Sequence, residues 1–205
     1  MNICYLVGAG DFFGMPSPDP TDLVIAADGG YDSLISHGVR CDLLIGDLDS
    51  ISERPNGVEL LLHPKEKDET DMYLAYLEGV RRGYSHFEVY GGTGGREDHT
   101  LANYALLLYA ARRGAIMRMH GERSVATVTV GTPVTLKGKP GETFSVFAFG
   151  GDASGVTISG AKYEVGGVEL KAEFPLGVSN ELASDAVSIS HTGGALLIIA
   201  PRCDE

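Results

Sequence analysis

Through the first half of the chain, short apolar runs break off again and again at glycine and aspartate. Ile3-Cys4-Tyr5-Leu6-Val7 stops at Gly8-Ala9-Gly10, and Leu23-Val24-Ile25-Ala26-Ala27 stops at Asp28-Gly29-Gly30. Leu43-Leu44-Ile45 runs into Gly46-Asp47-Leu48-Asp49-Ser50, the run 58–62 into His63-Pro64, and Phe87-Glu88-Val89-Tyr90 into the loop from Gly91 to Asp98. Continuous apolar runs of this length suit strands buried on both faces, the habit of parallel sheets covered by helices. Helices are expected over 31–37, 68–82 and about 99–113, closed by Gly38, Gly83 and Gly114. Asp68 is the expected N-cap of the second, with Leu74, Leu77 and Val80 as its apolar positions. On the third, Leu101, Ala105, Leu108 and Arg112 share one stripe. With a further strand at 116–119, the expected fold class is α/β, a mostly parallel sheet with helices on both faces.

The pattern changes near Gly121. Beyond it no helical period is found, and alternating stretches recur at 126–130, 134–136, 144–149, 156–158, 168–170, 187–189 and 196–199, mostly separated by glycine. They predict an antiparallel β-sandwich or barrel. The expected domains are therefore 1–122, α/β, and 123–205, all β.

Bulk properties narrow the function classes. With 205 residues, 43% hydrophobic and 21% charged, the chain can bury a real core, and its apolar runs are too short to span a bilayer. Met1-Asn2 leads straight into a strand, so a cytoplasmic protein without an export leader is expected. Cys4, Cys41 and Cys203 offer neither a disulfide framework nor a zinc spacing. The net charge of −12 opposes nucleic acid and anionic membranes as partners, so an anionic substrate needs a local cation.

The polar clusters of the first half fall at the carboxyl ends of expected strands, where open parallel sheets bind ligands. On extended backbone Asp47 and Asp49 share a face. Two carboxylates so placed repel unless a cation lies between them, and hard oxygen ligands favour Mg²⁺. Taken alone, the pentapeptide also fits a solvated turn. Asp68 and Asp71 either cap their helix or face the same edge. Gly91-Gly92-Thr93-Gly94-Gly95 lets backbone amides approach an anion, although the loop is neither a Walker A motif nor a dinucleotide fingerprint. Arg96 offers a guanidinium for phosphate, Asp98 caps the helix or acts on ligand or metal, and His99 reads as structural. Acids, one arginine, a phosphate-type loop and no evident nucleophile fit metal-assisted phosphoryl transfer.

In order along the chain, these motifs resemble the thiamine pyrophosphokinases (thiamin diphosphokinases). The resemblance lies in Ala27-Asp28-Gly29-Gly30, Gly46-Asp47-Leu48-Asp49-Ser50, Lys67-Asp68-Glu69-Thr70-Asp71 and Gly91 to His99 with Ala102-Asn103. It continues through Gly160-Ala161-Lys162-Tyr163 and Gly177-Val178-Ser179-Asn180-Glu181. It implies transfer of a pyrophosphoryl group from ATP to the hydroxyl of thiamine with Mg²⁺, giving thiamine diphosphate and AMP, in a homodimer whose thiamine site lies where subunits meet. Carried over, Asp47, Asp49 and Asp71 surround Mg²⁺ and the phosphates, with Asp28 close by. Thr70, Arg96 and the loop of Gly92, Gly94 and Gly95 contact ATP, Asp98 lies near the reacting groups, and Ser179 and Asn180 hydrogen-bond the thiamine pyrimidine. Some members cover the thiamine with a tryptophan; this chain has none, and Tyr163 stands there. Rival readings are a pyrophosphokinase acting on another hydroxymethyl heterocycle such as a pterin, and a non-catalytic nucleotide or thiamine sensor.

Overall fold

A computed structural model describes residues 2–15, 17–47, 57–63 and 68–202. The chain divides into two compact units, Met1–Leu106 with Gly114–Gly121, and Leu107–Arg113 with Glu122–Glu205.

The first unit carries β1 (Cys4–Val7), β2 (Leu23–Ala27), α1 (Gly30–Ser36), β3 (Leu43–Gly46), β4 (Glu59–Leu62), α2 (Asp71–Arg81), β5 (His86–Tyr90), most of α3 (Glu97–Ala111) and β6 (Ile116–His120). Its strands lie side by side in the order β6-β5-β1-β2-β3-β4 and every pair is parallel. The central strands β1, β2 and β3 are buried at every position, as their uninterrupted apolar runs require. Tyr5, Val7, Val24, Ala26, Leu44 and Tyr90 from the strands join Tyr31 and Leu34 of α1 in one core cluster.

Two helix details differ from expectation. The N-cap of α2 is Thr70, not Asp68: Thr70 has extended backbone and its hydroxyl accepts the Tyr73 N–H at 3.2 Å. Asp68 therefore lies before the helix and shares no helical face with Asp71. The buried side of α2 holds Met72, Ala75, Tyr76 and Gly79, whereas Leu77 and Val80 are exposed. Small residues decide this, because a Cβ at Gly79 would stand 2.6 Å from a ring carbon of Phe87 and 2.9 Å from Cys4 Sγ. In α3 likewise Leu106, Leu107 and Ala110 are buried, while Leu101 is 68% exposed.

At the amino ends of the strands, side chains replace missing ladder bonds. Asp22 accepts the Ile3 N–H at 2.8 Å and the Asp19 N–H at 2.9 Å, and Asp42 accepts the Val24 N–H at 2.9 Å. Arg40 ties them together, donating to the carbonyls of Pro18, Asp19 and Asp22 and to the Asp42 carboxylate. The starts of β1, β2 and β3 are thereby held in register.

The second unit is a β-sandwich. One sheet orders β12 (Asn180–Glu181), β9 (Thr143–Ala148), β14 (Leu196–Pro201) and β7 (Ser124–Thr129); the other orders β11 (Val165–Leu170), β10 (Ala153–Ser159), β13 (Ala186–Ser190) and β8 (Val134–Lys137). All their pairings are antiparallel. Alternate residues of both sheets, among them Phe144, Val146, Val156, Ile158, Val187, Ile189, Leu196 and Ile198, meet in one buried cluster. Two-residue β12 is too short to read from alternation.

Candidate active site

Parallel alignment puts the carboxyl ends of β5, β1, β2 and β3 along one edge. The exits of β1 and β5 are laced together: Gly8 N–H donates to Tyr90 O at 2.9 Å, Gly10 N–H to Gly91 O at 2.9 Å, and Asp11 N–H to Thr93 O at 2.7 Å. Only glycine allows this approach. A Cβ on Gly10 would stand 2.2 Å from Thr93 O, and one on Gly91 would stand 2.2 Å from Gly8 O. From α3, Asn103 Nδ2 donates to Gly92 O at 2.7 Å. The glycine loop is thus fixed from both sides, and it follows β5 into α3 with Gly94 and Gly95 in the left-handed region.

The acids gather next to it. Asp28 leaves β2 with φ 45°, a left-handed conformation that aspartate tolerates better than most residues. Its Oδ1 reaches over the end of β3, where a Cβ on Gly46 would stand 1.7 Å from it. Glycine before Asp47 is what lets the two strand exits share space. Burial, a hydrogen bond to Asp71 and the charges of Asp71 and Asp47 push the Asp28 carboxyl up to about 7, against an Asp47 backbone contact that lowers it. Asp71 and Asp47 therefore both act on Asp28, whose Oδ1 is buried without a hydrogen-bond partner among the described residues. Asp49, with Leu48 and Ser50, lies outside the described residues. Among the described residues no three His, Cys, Asp or Glu side chains stand already grouped as metal ligands. Crowded acids with an orphaned buried oxygen nevertheless fit a hard divalent cation, which would relieve their repulsion.

A carboxyl raised from 3.8 to about 7 binds more protons in the folded than in the unfolded chain between those values. Its stabilising contribution is complete below the unfolded value and is lost as pH rises through the folded one. In metal-free buffer, Asp28→Asn should therefore raise the thermal midpoint relative to wild type at about pH 8 and do so much less at about pH 4. Equal shifts at both pH values would refute the crowding of Asp28.

Arg96 and Asp98 stand differently. Arg96 donates from Nη2 to Asp98 Oδ2 at 2.5 Å and from Nε to Oδ1 at 3.1 Å, and both side chains are largely exposed. The guanidinium holds the Asp98 carboxyl below the usual carboxylate range. Asp98 also accepts the adjacent His99 N–H at 3.0 Å. Thr70 serves as the α2 cap, which leaves its own hydroxyl hydrogen for another acceptor.

In the sandwich, Ser179 takes φ 57° and its N–H donates to Ser145 Oγ at 3.1 Å. Asn180 is buried and bonds the backbone of Tyr163, a residue that is itself 60% exposed. Asp11, Gly8, Gly10 and Ser145 are the residues that sequence reasoning missed. Asp11 lies against Gly94, where a Cβ would stand 2.2 Å from its Oδ2. The signal was present, since Gly10-Asp11 repeats the glycine and acid found after the other strands.

A family model described as "Thiamin pyrophosphokinase, catalytic domain" matches residues 18–118, and one described as "Thiamin pyrophosphokinase, vitamin B1 binding domain" matches residues 128–196. A thiamine pyrophosphokinase of Bacillus subtilis is 27% identical over 188 residues, 88% of each chain. Among solved structures, thiamine pyrophosphokinase from Bacillus subtilis superposes with a TM-score of 0.88 at 24% identity, covering 98% of this chain and 99% of that one. Yeast thiamin pyrophosphokinase superposes with a TM-score of 0.78 at 15% identity, covering 98% and 86%. At these identities the superpositions establish the fold, an α/β unit with a parallel sheet plus an antiparallel sandwich. The two family models together take in most of the chain in the right order, and on that ground the chain belongs to the thiamine pyrophosphokinase family.

Proposed function

We propose that the chain transfers the pyrophosphoryl group of ATP to the hydroxyl of thiamine, giving thiamine diphosphate and AMP, with Mg²⁺ required. The observation that carries this reading is the crowding of Asp28 by Asp71 and Asp47 beside a braced glycine loop. Asp47 and Asp71, with Asp49, would hold the cation, and Asp28 would lie beside it. When bound, the ion offsets the charge of the phosphates. The amides of Gly92, Gly94 and Gly95 and the N-terminus of α3 bind phosphate oxygens, with the Thr70 hydroxyl and Arg96 as further donors. Arg96 reaches phosphate by exchanging Asp98 for it, which frees Asp98 to take the proton of the acceptor hydroxyl. Tyr163 and Ser179 bind the thiamine ring. The first unit thus carries the nucleotide and the second the acceptor, and the working form is a homodimer with thiamine bound where two copies meet. A sensor gains little from crowding acids beside phosphates, so catalysis is favoured over mere binding.

Incubation with Mg-ATP and thiamine, followed by nucleotide analysis, tests this directly. AMP should form in step with thiamine diphosphate. Production of ADP would mark an ordinary kinase, and turnover of a hydroxymethyl pterin without thiamine turnover would displace thiamine as acceptor.

A further inference from the structure

We propose that Asn180 is a positioning residue that sets the ring of Tyr163, and that it does not touch the acceptor; this rests on reading Tyr163 as part of the thiamine site. Asn180 pairs directly with Phe144 across β12 and β9, and directly paired residues project to the same face. Phe144 is 2% exposed and belongs to the sandwich core, and Asn180 is 7% exposed. The amide therefore points inward, away from solvent and from any ligand on the outer side.

Its bonding capacity is spent there. Oδ1 accepts the Tyr163 N–H at 3.0 Å and the Glu181 N–H at 2.9 Å, while Nδ2 donates to Tyr163 O at 2.8 Å. Both acceptor sites of the amide oxygen and one of its two N–H groups are used. Asn180 thus grips Tyr163 by both of its main-chain polar groups, as a neighbouring strand would.

The rest of the turn is braced in the same manner. Lys162 N–H donates to Glu181 O at 2.9 Å, Ala183 N–H to Gly160 O at 2.9 Å, and Gly160 N–H to Glu164 Oε1 at 2.6 Å. Lys162 Nζ pairs with Glu181 at 2.8 Å and stands 5.5 Å from the centre of the Tyr163 ring. A large aromatic ring is held out in water on a backbone that is pinned at both ends of its peptide units. Such an arrangement offers a preorganised face to a flat cationic ring, and a cation already lies against it. Loosening the turn should weaken acceptor binding and leave the nucleotide chemistry alone.

Steady-state kinetics on Asn180→Ala, Tyr163→Ala and the double variant of the full chain test this. Asn180→Ala should raise KM for thiamine about tenfold, the size of one lost cation–aromatic contact, with kcat and KM for ATP within about twofold. In the Tyr163→Ala background it should add almost nothing. A tenfold increment that persists without the tyrosine ring means direct contact with the acceptor and overturns the proposal. Amide hydrogen exchange without substrate supplies the second readout: the Tyr163 and Glu181 amides should be protected in the wild type and lose protection in Asn180→Ala. Should that variant not fold, the wild type decides alone, because a Tyr163 amide exchanging at the rate of an exposed loop overturns the brace. Absence of thiamine turnover in the wild type would overturn the acceptor reading, and exchange would still decide the role of Asn180.

Discussion

Asp71→Asn should lower kcat by about a thousandfold or more while the protein stays folded, because in the proposed reaction it removes a charge from the place where phosphate charge is redistributed. Asp71 opens α2 and perturbs Asp28, whose own exit from β2 is shared with Asp47. Asn keeps the shape and removes the charge. The repulsion felt by Asp28 also falls, so the thermal midpoint in metal-free buffer should stay level or rise. That combination separates a lost reaction from a lost fold. Asp47→Asn should behave alike. Asp98→Asn should cost less, about tenfold to a hundredfold, because Asp98 is exposed, paired with Arg96, and assigned only proton transfer. Rates like wild type in both Asp47→Asn and Asp71→Asn would remove these acids from the site.

Gly10→Ala should destabilise the first unit by about 3 kcal/mol and lower its thermal midpoint by roughly 6–12 °C. The added methyl meets the carbonyls of Thr93 and Gly91, at 2.2 and 2.7 Å, and neither can rotate away as a side chain would. The bonds from Gly10 to Gly91 and from Asp11 to Thr93 must lengthen for the methyl to fit. The glycine loop then loses one of its two braces, so KM for ATP should rise about tenfold or more, by differential scanning fluorimetry and initial rates on one preparation. An unshifted midpoint would mean that the two strand exits are not laced as described.

The features legible in the sequence were those with a local cause. An apolar run that stops at glycine and aspartate marks a buried parallel strand and its exit, and β1, β2, β3 and β5 fall where such runs lie. The change of period after Gly121 marked the sandwich strands for the same reason. Helix faces are harder: spacing points leucine and valine of α2 inward, yet Gly79 admits Phe87 and Cys4, a fact set by partners distant in sequence. The cap at Thr70 in place of Asp68 turned on which side chain meets the Tyr73 N–H. At the candidate site, the acids Asp28, Asp47 and Asp71 were each visible, but the reason Gly46 precedes Asp47 was not. It depends on Asp28 lying across the neighbouring strand. The inward turn of Asn180 was equally hidden, since β12 is too short to show a period.

The bonds that Asp22, Asp42 and Arg40 make at the opposite ends of the strands have a consequence for how such a protein can change. The starts of β1, β2 and β3 are secured at the floor of the sheet, so the exits of β2 and β3 at the mouth can carry clashing charges. Exchanges at the exits of β2 and β3, away from the lacing of β1 with β5, alter what is bound at smaller cost to foldability, whereas a graft between α1 and β3 removes Arg40 and unfastens three strands at once. Divergence of substrate choice within this architecture is therefore open on one side of the sheet and closed on the other.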